Sequence, residues 1–124
     1  MKRIINTDKA PKAIGPYSQA IEVNGILYIS GQIPVNPENG LIPDGIEAQT
    51  EQVMENIAAI LTEAGYSFKD VVKSTCLLSD MVNFKAMNEI YGRYYNENPP
   101  ARAAFAVKEL PVGALVEIET IAIK

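Results

Sequence analysis

The chain contains no histidine and one cysteine, Cys76, among its 124 residues. Those two shortages remove whole mechanisms: no Ser-His-Asp or Cys-His arrangement, no histidine metal site, no internal disulfide and no cysteine zinc cluster can be built. Acid–base work must fall to carboxylates, tyrosines, lysines or water. Cationic charge is thin too, with 11 Lys and Arg against 15 Asp and Glu, a net charge of −4, and no stretch that concentrates the basic residues. Nucleic-acid binding draws its affinity from clustered cations, so a nucleic-acid partner is disfavoured. Long apolar runs are also lacking. Met1-Lys2-Arg3-Ile4-Ile5-Asn6 is too short for a signal peptide and nothing later approaches a transmembrane span, so no membrane partner and a cytoplasmic location are expected. Cys76 sits in Val71–Leu78, a run with strand character that would bury the thiol and leave it inert.

What is present predicts one domain over residues 1–124, small enough that self-association would add useful burial. Short strands are expected at Lys2–Asn6, Ser18–Val23 and Ile26–Ser30, the last two joined by Asn24-Gly25, a strong hairpin signal. Gly31–Gly45, rich in glycine and proline, reads as an irregular connection. From Ile46, Thr50, Val53, Ile57, Ile60, Leu61 and Ala64 recur with helical spacing; Asp44 and Glu47 resemble a capping box, and Gly65 suits the left-handed residue after the last turn. Val71–Ser79 reads as a buried strand. Phe84, Met87, Ile90, Tyr91, Tyr94 and Tyr95 mark a second helix, capped by Ser79 or Asp80 and ended before Pro99-Pro100. Strands at Arg102–Val107 and Leu115–Ile123 complete the order β-β-β-α-β-α-β-β. That order predicts an α+β fold, a mixed β-sheet with both helices packed on one face. Leu115–Ile123 is apolar on both sides, which favours a homo-oligomer packed sheet to sheet.

Candidate site residues follow from chemistry that is out of place. Arg102 stands where a proline-stiffened loop becomes a strand, and its planar fork suits a small carboxylate; an ion pair closing the loop is the competing explanation. Glu117 and Glu119 share a strand face with Leu115 and Ile121, where a carboxylate must be paired, wetted or held with a raised pKa. Arg102 and Ala104 share one face of the preceding strand, so the arginine and a strand carboxylate could converge on one pocket. Tyr17 and Ser30 offer hydroxyls beside glycine turns, and Gly31 allows close backbone approach. Asn88 lies beside the second helix's apolar stripe, where plain solvation is the usual explanation.

Ala13-Ile14-Gly15-Pro16-Tyr17-Ser18-Gln19, Ser30-Gly31-Gln32-Ile33-Pro34, Pro100-Ala101-Arg102 and Val116-Glu117-Ile118-Glu119 together resemble the reactive intermediate deaminase (Rid or YjgF) family, over Ile14 to Lys124. The resemblance implies a chorismate-mutase-like fold, a homotrimer with its sheets facing inward, and clefts at subunit boundaries. It also implies cofactor-free hydrolysis of 2-enamine and 2-imine acids, such as 2-aminoacrylate or 2-aminocrotonate, to 2-oxo acids and ammonia. The family's carboxylate-binding arginine falls on Arg102 and its water-positioning glutamate on Glu117, with Tyr17, Ser30, Gly31 and Asn88 on supporting positions. Tyr17 is expected from one chain of the trimer and Arg102 with Glu117 from another. Many members carry a cysteine where this chain has Ala104, whose amide N–H would remain for the substrate carboxylate. A non-catalytic sensor of small carboxylic acids and an RNA-cleaving translation inhibitor are the alternatives.

Overall fold

In the computed structural model, which describes residues 1–124, the elements follow the expected order: β1 (Arg3–Ile5), β2 (Ala20–Val23), β3 (Ile26–Gln32), α1 (Ile46–Ala64), β4 (Val71–Leu78), α2 (Phe84–Gly92), β5 (Ala101–Ala106) and β6 (Val116–Ile123). Six strands form one mixed sheet in the order β1-β2-β3-β6-β4-β5. The β2–β3 hairpin turns through Asn24 and Gly25 at φ 50° and 77°, the two left-handed residues that match its turn to the twist of the strands. β4 and β5 run parallel because α2 carries the chain back across the sheet between them, while every other pairing is antiparallel.

β6, last in sequence, lies between β3 and β4. Its alternation sorts the faces: Val116, Ile118, Thr120 and Ala122 are buried, whereas Glu117, Glu119, Ile121 and Ile123 look the other way. α1 covers the buried side with Val53, Met54, Ile57, Ile60 and Leu61. Cys76 lies in that core, fully buried, and burial pushes its thiol up to about 11, the inert state its strand context predicts. No helix is long and apolar enough to cross a membrane.

The strand ends fall within two residues of expectation, β2 beginning at Ala20 rather than at Ser18, and three differences have a local physical reason. α1 has no Asp44–Glu47 box: its N-cap is Gly45 at φ 88°, with no side-chain cap, and Gln49 instead donates to the Pro43 carbonyl at 3.0 Å. Gly45, with φ 88° and ψ 155°, takes a positive-φ conformation in place of the negative-φ extended cap that such a box requires. The reciprocal box occurs at Ser67 and Asp70, on the short turn leading into β4. α2 is shorter than its aromatic stripe, because Asp80 caps a separate single turn at Met81–Asn83 and regular helix stops at Gly92. Tyr94 and Tyr95 lie beyond that end yet still pack, their rings 5.3 and 5.4 Å from Phe68. β3 runs two residues further than expected, through a bulge between Ile29 and Gln32.

Buried amide side chains shape the loops around that bulge. The Gln19 carbonyl accepts from the Thr7 N–H at 2.7 Å, and its amide donates to the carbonyls of Thr7 at 3.0 Å and Pro11 at 2.8 Å. Asn56 donates from α1 to the carbonyls of Ile33 and Val35, and Gln49 accepts from the Leu115 N–H. These bonds satisfy backbone groups that no helix or strand serves. Gln19→Leu strands several of them in a site only 2% exposed, so a loss of about 2 kcal/mol is expected in urea unfolding. A change within about 0.5 kcal/mol would show that the loop is held by other contacts.

Candidate active site

β5 is an edge strand, paired only with β4. In register Arg102 lies beside Ser74 and Ala104 beside Cys76, so both side chains leave the sheet on the side that α2 covers. There Nη1 of Arg102 donates to Oδ1 of Asn88 at 2.5 Å. The guanidinium carbon lies 5.0 Å from the Tyr91 ring centroid and 5.5 Å from that of Phe84. No ion pair closes the loop: the single salt bridge of the chain joins Arg3 to Glu22. Arg102 thus has four N–H donors not spent on Asn88. Asn88, whose helix position suggested plain solvation, is its fixed acceptor.

The backbone beside it is also open to a ligand. Val107 N–H donates back to the Leu78 carbonyl at 2.9 Å. Because amides alternate in direction along a strand, the Ala104 N–H three residues earlier points to the unpaired edge. Without a side chain beyond Cβ, Ala104 offers that amide and no thiol.

Glu117 belongs to the other face. It stands opposite Leu77, which in turn stands opposite Phe105, whereas Arg102 is level with Thr120 and on the helix side. The expected convergence of Arg102 and Glu117 on one pocket therefore fails within a chain: their side chains leave opposite faces of the sheet, with β4 between their strands. What Glu117 meets is Gly31. A Cβ placed on Gly31 would sit 2.0 Å from a carboxylate oxygen of Glu117 and 2.9 Å from its carboxyl carbon. The close approach that glycine permits at this bulge is taken by the chain's own carboxylate. Partial burial, and secondarily the charge of Glu119, hold the Glu117 carboxyl above its ordinary value of 4.5.

Tyr17 and Gly31 line one cavity of about 620 Å³ with Ile14, Ile33 and Val112. The Tyr17 ring is more than half exposed and packs beside Gly15. Ser30 has a fastening role as well: its hydroxyl donates to the Ser18 carbonyl at 2.6 Å and its N–H to the Gln19 carbonyl at 2.9 Å. With its proton committed, that hydroxyl can serve a ligand only as an acceptor. The expected residues accordingly fall into two groups, Arg102, Asn88 and Ala104 at the β5 edge, and Tyr17, Ser30, Gly31 and Glu117 around the β3 bulge. Sequence reasoning passed over Phe84 and Tyr91 as core aromatics, although their spacing from Asn88, four residues before and three after, already placed all three on one helix stripe.

The chain is an α+β protein, a six-stranded mixed sheet with two helices on one face, that carries an edge arginine without an anionic partner and, on the opposite face, a glutamate beside a strand bulge. The family model described as Endoribonuclease L-PSP matches residues 7–124, and the chain belongs to this family, of the Rid or YjgF type. It is 54% identical to a RutC family protein of Pyrococcus horikoshii over 100% of this chain and 99% of that one. It is 48% identical to the 2-iminobutanoate/2-iminopropanoate deaminase of Mus musculus over 100% and 93%. Among solved structures, E. coli TdcF with bound serine superposes with a TM-score of 0.96 at 38% identity, covering 98% of each chain.

Proposed function

We propose that this protein hydrolyses small 2-imino acids, the tautomers of 2-enamine acids such as 2-aminoacrylate, to 2-oxo acids and ammonia. The observation that carries this is Arg102, a guanidinium held in place with no carboxylate partner, beside an outward-facing amide on a free strand edge. A fork and a neighbouring N–H fit one substrate carboxylate. The activity named for the mouse relative and the serine bound to the E. coli relative, itself a small amino acid, support the same substrate class.

An iminium carbon is already electrophilic, so positioning a water can supply much of the acceleration without histidine. Arg102 and the Ala104 N–H hold the carboxylate. Glu117 takes a proton from a water as its oxygen bonds to C2, returns that proton to nitrogen, and takes the proton of the new hydroxyl as the C=O bond forms, the C–N bond breaks and ammonia leaves. Its raised pKa suits both halves of this exchange. Ser30, able only to accept, takes an N–H of the substrate, and Tyr17 limits access of bulk water. RNA cleavage is disfavoured by the acidic, histidine-free chain.

One chain does not bring the two groups together, so the site we propose is completed by a second copy in a homotrimer. The face away from the helices carries an apolar row, Ile4, Ile21, Tyr28 and Ile121, across four strands, with Ile26 and Ile123 beside it. Tyr28 and Ile123 are nearly half exposed, at 46% and 48%, and packing such faces together would bury them. Tyr17 comes from one copy and Arg102 from another, and Glu117 goes with Tyr17 because it shares the β3 bulge.

Timing imine decay behind a dehydratase that releases 2-aminoacrylate should show acceleration proportional to this protein; decay at the buffer rate would reject the activity. Mixing inactive Tyr17→Ala and Arg102→Ala subunits should restore turnover, since hybrid trimers contain clefts with both native residues. Proven hybrids without activity, or an active monomer in light scattering, would refute the shared site. Gly31→Ala should also lower turnover, by about tenfold, with little change in stability, because the new methyl displaces the mobile end of Glu117 and no backbone. Parental turnover in that variant would mean the carboxylate's place above Gly31 is irrelevant.

A further inference from the structure

We propose that α2 presents a preformed tray, Phe84, Asn88 and Tyr91, that holds the Arg102 guanidinium in its binding pose before any ligand arrives, so that Phe84 and Tyr91 are positioning residues for carboxylate recognition. The proposal deepens the imine-hydrolase function and rests on it for the identity of the ligand, but the tray itself is a property of the free protein.

Three contacts of different kinds converge on one side chain. Asn88 accepts from Nη1, while the Tyr91 and Phe84 rings lie 5.0 and 5.5 Å from the guanidinium carbon. The three residues come from successive turns of one helix face, so their spacing is set by backbone geometry. Tyr91 is itself held: it is 5% exposed and its ring lies 4.8 Å from that of Tyr95. Its hydroxyl is buried without a hydrogen-bond partner, so what Tyr91 gives to Arg102 is the ring face. An arginine on an edge strand would ordinarily sample many rotamers and lose that freedom on binding. Two aromatic faces and one acceptor remove the freedom in advance and leave the remaining N–H donors for the ligand.

The effect belongs to binding more than to the chemical step. Removing a ring should raise KM and the Kd for 2-oxobutanoate about tenfold, with kcat within about twofold. Tyr91→Phe keeps the ring and removes only the unpartnered hydroxyl, so it should behave like the parent. Tyr91→Leu removes a buried ring and can fail to fold, and Phe84→Leu, at the half-buried start of the helix, gives an independent arm.

The test reads Arg102 directly through the 15N heteronuclear NOE of its Nε–Hε group in the ligand-free protein, with exposed Arg93 as internal reference. Tray formation requires a value for Arg102 near that of the ordered backbone, a low value for Arg93, and a fall for Arg102 in folded Phe84→Leu or Tyr91→Leu together with the loss of 2-oxobutanoate affinity. An Arg102 signal as mobile as that of Arg93 in the parent overturns the proposal. So do ring-deleted variants that fold and keep both signal and affinity, or a Tyr91→Phe variant as impaired as Tyr91→Leu. A parent protein without imine turnover would refute the catalytic function alone, because the NOE comparison still decides whether the tray exists.

Discussion

Arg102→Lys should lose about 100-fold or more in kcat/KM for 2-iminobutanoate, roughly 2.7 kcal/mol of transition-state stabilisation, with fold and assembly intact. Charge is conserved in this variant, so the loss isolates geometry. Lysine offers a single ammonium on a flexible stem and cannot present two parallel N–H groups to a carboxylate. It also gives up the planar group that faces Tyr91 and Phe84, while Asn88 keeps a donor only if the ammonium reaches it. Steady-state kinetics with a circular dichroism control check the outcome, and a folded variant with near-parental kcat/KM would remove Arg102 from the site.

Glu117→Gln should lower kcat by about 100-fold or more while leaving 2-oxobutanoate affinity nearly unchanged, because the amide keeps the shape over Gly31 but accepts no proton. Glu119→Gln, on an exposed position of the same strand, should have a far smaller effect, and equal losses would mean the wrong carboxylate has been chosen. The pH dependence has a definite sign. Burial raises the folded-state pKa of Glu117 above 4.5, so the folded protein binds this proton more tightly than the unfolded chain. Stability contributed by Glu117 is therefore present below the ordinary carboxylate value and is lost as pH rises through the raised one. Glu117→Gln should accordingly gain stability relative to the parent at neutral pH, and the gain should vanish in acid. Parental turnover should fall on the acid side, at a pH above 4.5, as the base becomes protonated. An acid limb unchanged in the residual activity of the Gln variant would assign that limb to another group.

Both effects depend on placements that were only partly legible beforehand. The alternation of β6 identified Glu117 as a carboxylate on an apolar face, because side-chain period in a strand is a local property. It could not identify Leu77 and Gly31 as its neighbours, which are set by strand partners 40 and 86 residues away in sequence. Arg102 stood out by its position after Pro99-Pro100, yet what holds it is a helix face, not the prolines.

By itself the sequence determined the local elements and their order. The Asn24-Gly25 hairpin, the helical spacing of Val53, Ile57, Ile60 and Leu61, and the left-handed Gly65 at φ 85° all arise from interactions within a few residues, and each appears in the structure as read. The absence of histidine and the burial of Cys76 likewise needed no fold to bound the chemistry. Tertiary structure alone decided that β6 enters between β3 and β4, that β4 and β5 are parallel neighbours, and that Arg102 and Glu117 leave opposite faces. It also decided that Gln19, Gln49 and Asn56 are buried, since a polar amide shows no burial in a hydrophobic pattern and is drawn inward only where loop backbone groups from distant segments need partners. Strand pairing of this kind is settled by closing long loops over a shared core, and no local run of residues encodes which closures win.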